Sequence, residues 1–451
     1  NWVEIEAIDE PEVLRALQEP DFNVENPDDI NGKVYHMRRH FADGQLVFWS
    51  NYNKEGVEEI SFKTEGKSVS LLDPLSGEIT GFPAQIEDGM AQIEFNLPAA
   101  GSKLLFVHDD EDAAPPVNES IDDEGGWEKL DIQMAEVTAT EPNALTLDYV
   151  DLKVQEKTFD DLYFSMAADS AYKLNGLDQY GRSGYNPWAV AVQYRTNIID
   201  MGERFDENSG FTATYNFEIA RGFQPEELKA VVEWAHLYDV TVNGTSVEPI
   251  QGEAWLDHSF GVFDISDEVK PGNNKITLSV QPMHIHAEIE PVYLVGDFSL
   301  EPQQKGFLLT ERKSLETGSW QKQGMPFYSE SVRYSKELDA EAGKKYKIKL
   351  NDWEGTVARV YVDDEQVGII GWPPYEFNLT PYLEEGNHTV AVEVVGSLKN
   401  LLGPHHGNMR EGIVTPWSWF FGPRNMPPGD DYHHLDYGLM EDFEIMGKSG
   451  S

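Results

Sequence analysis

Hydrophobic and polar positions alternate at period two along most of this chain, most regularly between Val357 and Val395. VARVYV (357–362) alternates, the polar pair Asp363-Asp364 reverses the chain, and EQVGII (365–370) follows. A short segment ends Phe377-Asn378-Leu379-Thr380, and the turn Glu384-Glu385-Gly386-Asn387 leads into the strand Thr389 to Val395. Period-two alternation bounded by Gly, Asn and Asp predicts antiparallel strands with one buried face. The strand then enters Asn400-Leu401-Leu402-Gly403-Pro404-His405-His406, a loop unusually rich in hydrogen-bonding groups. The same order occurs over residues 238–280. Val240-Thr241-Val242-Asn243-Gly244 matches Val360-Tyr361-Val362-Asp363-Asp364, and Asp264-Ile265-Ser266 matches Asn378-Leu379-Thr380. Pro271-Gly272-Asn273-Asn274 before Ile276-Thr277-Leu278 matches Glu385-Gly386-Asn387-His388 before Val390-Ala391-Val392. A repeat at this scale predicts two related β-sandwiches in tandem.

The pattern upstream predicts a third sandwich over 31–108, where VYHMRRHF, QLVFWSNYN, EEISFKTEG, SVSLLDPLSGEIT and AQIEFNLPAAGSKLLFVH succeed one another with short connections. Residues 1–30 are an acidic lead-in whose Val13, Leu14 and Leu17 share a helical face. Residues 109–145 hold an acidic, Pro-containing linker and the start of the next unit, and 146–210 read as an irregular, aromatic-rich linking region. The two repeats occupy 211–300 and 301–447, and residues 448–451 are set aside. The predicted fold is all-β.

Composition narrows the function classes. Net charge is −46, from 34 basic and 80 acidic residues, which argues against partners with negative surfaces such as nucleic acid or anionic membranes. Solubility explains an acidic surface, and carboxylate-rich loops also suit structural Ca2+; the sequence requires no other cofactor. No apolar run reaches the ~20 residues of a membrane-spanning helix. The absence of cysteine removes disulfides and thiolate chemistry. It fits an exported bacterial protein (periplasmic, cell-surface or extracellular). The chain begins with Asn1, as expected of a processed or truncated product.

The repeat pattern resembles the galactose-binding-like jelly roll of many secreted carbohydrate-active enzymes. Several stretches resemble, more specifically, the region after the catalytic barrel in glycoside hydrolase family 106, the α-L-rhamnosidases. They are YHMRRHFADGQLVFWSNYN, LLDPLSGEI, NALTLDYVDL, Asn186-Pro187-Trp188 with Val192-Gln193-Tyr194, Trp320 to Tyr328, and GSLKNLLGPHHG. The chain departs from the family at His36-Met37-Arg38, where His usually directly precedes Arg, and at Trp49, where valine is usual. The resemblance implies inverting hydrolysis by two carboxylates on an N-terminal (β/α) barrel. Such a barrel needs ~250 residues of alternating strand and helix, and this chain has no such run, so no catalytic residue is carried across. What it implies instead is a C-terminal region that binds or positions polysaccharide or oligosaccharide and buttresses a barrel. Retained glycosidase activity and a purely structural module are the alternatives.

Sugars are held by aromatic platforms and by polar side chains at ring edges. Three groups have that composition: Tyr180, Arg182, Tyr185, Asn186 and Trp188; Asn400, His405 and His406; and Trp417 and Trp419 with Arg424, Tyr432 and His433. Each has a structural alternative. The first could pack a domain interface, the second could be a loop tied by His–backbone hydrogen bonds, and the third could plug a sandwich edge. His284-Ile285-His286 would place two imidazoles on one strand face, two metal ligands at most.

Overall fold

A computed structural model describes residues 21–25, 27–117, 125–176, 205–407 and 414–449. The amphipathic segment around Val13 and the group Tyr180, Arg182, Tyr185, Asn186 and Trp188 lie outside the described residues. The fold is all-β, as expected: six antiparallel-rich sheets pair into three sandwiches.

In the first sandwich a five-stranded sheet runs in the order Val34–Phe41, Gly44–Asn51, Ser102–His108, Ser68–Leu72, Ile79–Gly81. It faces a four-stranded sheet containing Glu58–Glu65 and Met90–Leu97. Alternation places Val47, Trp49, Leu105 and Val107 opposite Ile60, Phe62, Ala91 and Ile93. Trp49, the departure from the resembled family, is fully buried 5.2 Å from Phe62. The lead-in contributes its own strand, Phe22–Val24, paired with Phe62–Thr64. Outward positions Tyr35, Met37 and Phe41 on the edge strand are exposed.

The second sandwich faces the sheet Asn143–Leu147, Val292–Gly296, Leu228–Glu233, Asp257–Asp264, Ala254–Trp255 against a larger sheet centred on Tyr149–Val154, Phe211–Ile219 and Gly272–Val280. Here the structure differs from the irregular region expected over 146–210. Residues 149–163 form two paired strands, and Phe164–Leu174 is a helix of 11 residues. Its Phe164, Ala167, Ala171 and Tyr172 are buried. The spacing i, i+3, i+7, i+8 is the core stripe of an amphipathic helix. Small residues at Ala167 and Ala171 conceal that stripe in a hydrophobicity reading.

The third sandwich has the order Met134–Ala139, Ser331–Ala340, Gly386–Val395, Val357–Val362, Glu365–Ile370 in one sheet and Glu128–Lys129, Glu444–Ser449, Lys344–Lys349, Glu376–Asn378 in the other. Two of these strands precede the second sandwich in sequence, so the second is nested within the third. The segment 128–139, expected to belong to a linker and a new unit, supplies both of them. Buried Lys336 holds the nest closed. Its Nζ donates to Ile132 O at 3.0 Å, Phe443 O at 2.8 Å and Asp442 Oδ2 at 2.8 Å, joining the two chain segments that bracket the third sandwich.

The repeat has a structural basis. Asn243-Gly244 and Asp363-Asp364 both have positive φ (49° and 89°; 49° and 67°), as a two-residue hairpin turn of type I′ requires. In each, the first side chain accepts from the next strand: Asn243 Oδ1 from Lys275 N–H at 3.1 Å, Asp363 Oδ1 from Thr389 N–H at 2.9 Å. Ile265 and Leu379 are both fully buried, and their N–H groups donate to Leu228 O at 2.9 Å and Tyr346 O at 3.0 Å. The following hydroxyl accepts from the same strand: Ser266 Oγ from Leu228 N–H at 3.0 Å, Thr380 Oγ1 from Tyr346 N–H at 2.9 Å. The repeated Asp-Ile-Ser and Asn-Leu-Thr are therefore plugs that close one sheet against the other.

Thr380→Val keeps the shape of the plug but leaves the Tyr346 N–H without its acceptor. It is expected to cost about 1–2 kcal/mol, read as a lower urea midpoint at unchanged slope. Asp364→Gly is expected to act oppositely, by about 0.5–1 kcal/mol, because glycine occupies the left-handed region without steric cost. The ion pair it removes, Arg333 to Asp364 at 3.3 Å, is on an almost fully exposed carboxylate and contributes little.

Candidate functional site

Asp148 sits between the strands Asn143–Leu147 and Tyr149–Val154, in the run Leu145-Thr146-Leu147-Asp148-Tyr149-Val150, every member of which is buried. A carboxylate cannot remain in such surroundings without hydrogen-bond donors. Its donors come from far along the chain. Tyr432 Oη–H donates to Oδ1 at 2.8 Å, and His406 Nε2 lies 3.0 Å from Oδ2, with the carboxylate accepting. His405 Nδ1 is 3.9 Å away, beyond hydrogen-bond reach. Its Nε2 donates to Asn400 O at 2.8 Å.

The loop holding these histidines is bonded on every side. Asn400 Nδ2 donates to Leu435 O and Asn400 Oδ1 accepts from Leu435 N–H, both at 2.8 Å. Lys399 Nζ donates to Pro404 O at 2.9 Å and His433 O at 3.3 Å, and burial pulls its ammonium down to about 8. Thr146 Oγ1 donates to Leu401 O at 2.6 Å, so the loop is stitched to the second sandwich beside Asp148. The tail completes the enclosure: Tyr149 Oη donates to Pro423 O at 3.0 Å and Tyr163 N–H to Arg424 O at 3.2 Å.

The residues proposed from the sequence fall as follows. Asn400, His405 and His406 come together, at 0%, 3% and 4% exposure. A side chain so enclosed ties elements together and is not placed to touch a sugar. Trp419 is half-buried against the second sandwich core, its Nε1–H donating to Leu402 O at 2.8 Å. Trp417 lies on the short 3-10 helix Pro416–Phe420, and its side chain is outside the described residues. His284 and His286 have ring centroids 5.5 Å apart in a turn, not on a strand. Among the described residues no group of three or more His, Asp or Glu is arranged to hold a metal ion. Asp148, Tyr163 and His434 escaped the sequence reading. For Asp148 a signal was present: one acid in the mostly apolar run Ala144 to Val150.

Burial holds His405 and His434 down at about 3. Asp148 opposes this at His405, while Lys399 and the neighbouring imidazoles reinforce it. Nε2 of His434 is buried with no hydrogen-bond partner, and its ring lies parallel to Tyr432 at 6.0 Å and edge-on to Phe327 at 4.6 Å. An unfolded histidine titrates near 6.5, so between about pH 6.5 and 3 the unfolded chain binds protons that the folded chain does not. The stabilisation is complete above that window and lost as pH falls through it.

Urea unfolding from pH 7 to pH 4 is expected to show stability falling with acid, His405 alone contributing up to ~1.4 kcal/mol per pH unit. His434→Phe keeps the ring contacts and removes the unpartnered nitrogen, so it should flatten that acid loss without lowering stability at neutral pH. Tyr432→Phe, which takes a donor from a buried carboxylate, is expected to cost about 1.5–3 kcal/mol at pH 7.

No family model matches this chain, and no curated protein matches it. Solved structures with similar architecture include a rhamnosidase from Novosphingobium sp. PP1Y, at 12% identity and a TM-score of 0.40, covering 97% of this chain and 26% of that one. A β-D-mannosidase from Dictyoglomus thermophilum has 12% identity and a TM-score of 0.23, covering 56% of this chain and 31% of that one. A β-glucuronidase from an uncultured Clostridium sp. has 12% identity and a TM-score of 0.22, covering 59% and 41%. The chain thus spans well under half the length of each of these proteins.

Proposed function

We propose that this chain is the non-catalytic β-sandwich region of a larger exported glycoside hydrolase, holding carbohydrate in position and buttressing a catalytic barrel that lies outside it. One observation carries the reading: three stretches that resemble the rhamnosidase family, distant in sequence, meet at one joint. Asp148 of NALTLDYVDL bonds His406 of GSLKNLLGPHHG. Asn143, from the first of these stretches, donates through Nδ2 to Gly324 O, within the Trp320–Tyr328 stretch, at 3.0 Å. Phe327, also of that stretch, packs edge-on against His405 with centroids 5.2 Å apart.

A joint of buried, mutually satisfied polar groups does one thing well. It fixes the second and third sandwiches in a single relative orientation, because any other separates the buried Asp148 carboxylate from Tyr432 and His406. That is the property a buttress needs. The exposed apolar row Tyr35, Met37 and Phe41 gives the first sandwich a face for a neighbouring domain, in keeping with the same role.

The reading is tested with the isolated chain in two assays. Turnover of an aryl α-L-rhamnoside is expected to be nil, and measurable turnover would overturn the non-catalytic assignment. Affinity electrophoresis through gels containing rhamnose-bearing and other polysaccharides is expected to show retardation by at least one polymer. Uniform mobility would leave the chain as a structural module only.

A further inference from the structure

The sheet of the second sandwich that carries Asn143–Leu147 has two faces. Leu145, Ala230, Val232, Phe263 and Leu294 point into the sandwich core. On the other face Ala144, Val231 and Val262 form a separate apolar cluster, with Val295 packed beside them. These four side chains floor an open cleft of about 350 Å³. Trp255 makes one wall, half-buried and braced by Tyr293 with ring centroids 5.4 Å apart. At the mouth is Leu256, exposed and in the left-handed region at φ 62°. That conformation is costly for a branched side chain and is tolerated where surroundings impose it. The opposite wall comes from Tyr328, Ser329 and Glu330, so the cleft straddles the joint between the second and third sandwiches.

The rim is polar and lopsided. Glu141, Glu227, Glu253 and Glu330 line it, against a single cation, Lys229, itself paired with Glu253 at 2.6 Å. Ionised carboxylates only accept hydrogen bonds, so they are best matched by a ligand that presents many donors around an apolar face. The volume is at the lower end of small-molecule sites, ~300–1,000 Å³, too small for a protein segment with its own packed core. A pyranose combines those properties, with C–H groups on its face for an indole and hydroxyls at its edge for carboxylates. A uronate or sulfated sugar would bring its own negative charge among four others.

We propose that this cleft is a saccharide-binding site selective for neutral sugar units, with Trp255 as the stacking platform and Glu141, Glu227 and Glu330 as hydroxyl acceptors. The proposal rests on the carbohydrate-positioning reading above and gives it a location lined by none of the residues that the sequence proposed as sugar ligands. Its placement across the joint also gives the rigid orientation of the two sandwiches a purpose: both walls of the site are held at a fixed spacing.

The test is affinity electrophoresis of the full chain and two variants against galactan, xyloglucan, a rhamnan and polygalacturonate. The full chain should be retarded by at least one neutral polymer and not by polygalacturonate. Trp255→Ala should weaken that retardation tenfold or more, with circular dichroism confirming that it folds. Glu227→Lys, at an exposed rim position that should not disturb folding, is expected to create retardation by polygalacturonate. Three results would overturn the proposal. If folded Trp255→Ala is retarded as strongly as the parent chain, the sugar binds elsewhere, and the carbohydrate-positioning reading survives without this cleft. If polygalacturonate retards the parent chain at least as well as neutral polymers, the charge argument fails. If no polymer retards the parent chain, the site and the carbohydrate part of the function fall together.

Discussion

The structure depends on the pairing of one buried carboxylate. Asp148 is 2% exposed just after the fully buried strand Asn143–Leu147, and water cannot solvate it there. Removing a charge from water costs several kcal/mol unless donors replace the lost solvent. The donors are a tyrosine and a histidine more than 250 positions away, carried by a loop and a tail with little regular structure of their own. Those segments are fixed because the carboxylate needs them, and the carboxylate is tolerated because they are fixed. Such a mutual requirement makes a joint cooperative. It also explains why so many backbone carbonyls of the loop, from Asn400 to Pro404, are met by side chains instead of by a sheet.

Nesting gives this joint its mechanical consequence. Because strands of the third sandwich come from both before and after the second, the chain crosses between the two sandwiches more than once. Lys336 clamps the crossing segments, and Asp148 with its partners clamps the loop that returns. On the third sandwich, Glu393 is likewise buried, accepting from Arg333 at 2.9 Å and Arg359 at 2.8 Å. Arg333 also lies over the Tyr361 ring at 4.1 Å. Removing either arginine would leave the buried Glu393 carboxylate short of a partner, which is costly. The cleft walled by Trp255 and by Tyr328 to Glu330 lies across that fixed arrangement.

The sandwich strands were largely legible because period-two alternation is imposed by geometry: successive side chains on a strand face opposite ways. The repeat was legible for a related reason. Its hairpin turns need positive φ at two positions, and its plugs need a hydroxyl after a buried aliphatic residue, so Asn-Gly and Asp-Ile-Ser reappear as Asp-Asp and Asn-Leu-Thr. The strand Lys157–Tyr163 is largely exposed and shows no clean alternation, and the helix Phe164–Leu174 hides its buried stripe behind alanines, so this stretch reads as irregular. The two strands of the third sandwich at 128–139 read as the start of the next unit because nothing local shows that they pair with strands much later in the chain.

The candidate site divides along the same line. The sequence by itself determined which residues are chemically unusual: a donor-rich loop at Asn400 to His406 and an aromatic tail. It also determined the all-β class and the turns, because these follow from local periodicity and backbone conformation. Tertiary structure alone decided what those residues face. Burial turned His405 and His406 inward to a carboxylate contributed by a distant strand. It left Trp255 and four glutamates, none of them conspicuous in sequence, around an open apolar floor. Exposure and partnership are set by which surfaces pack together, and no local pattern carries that information.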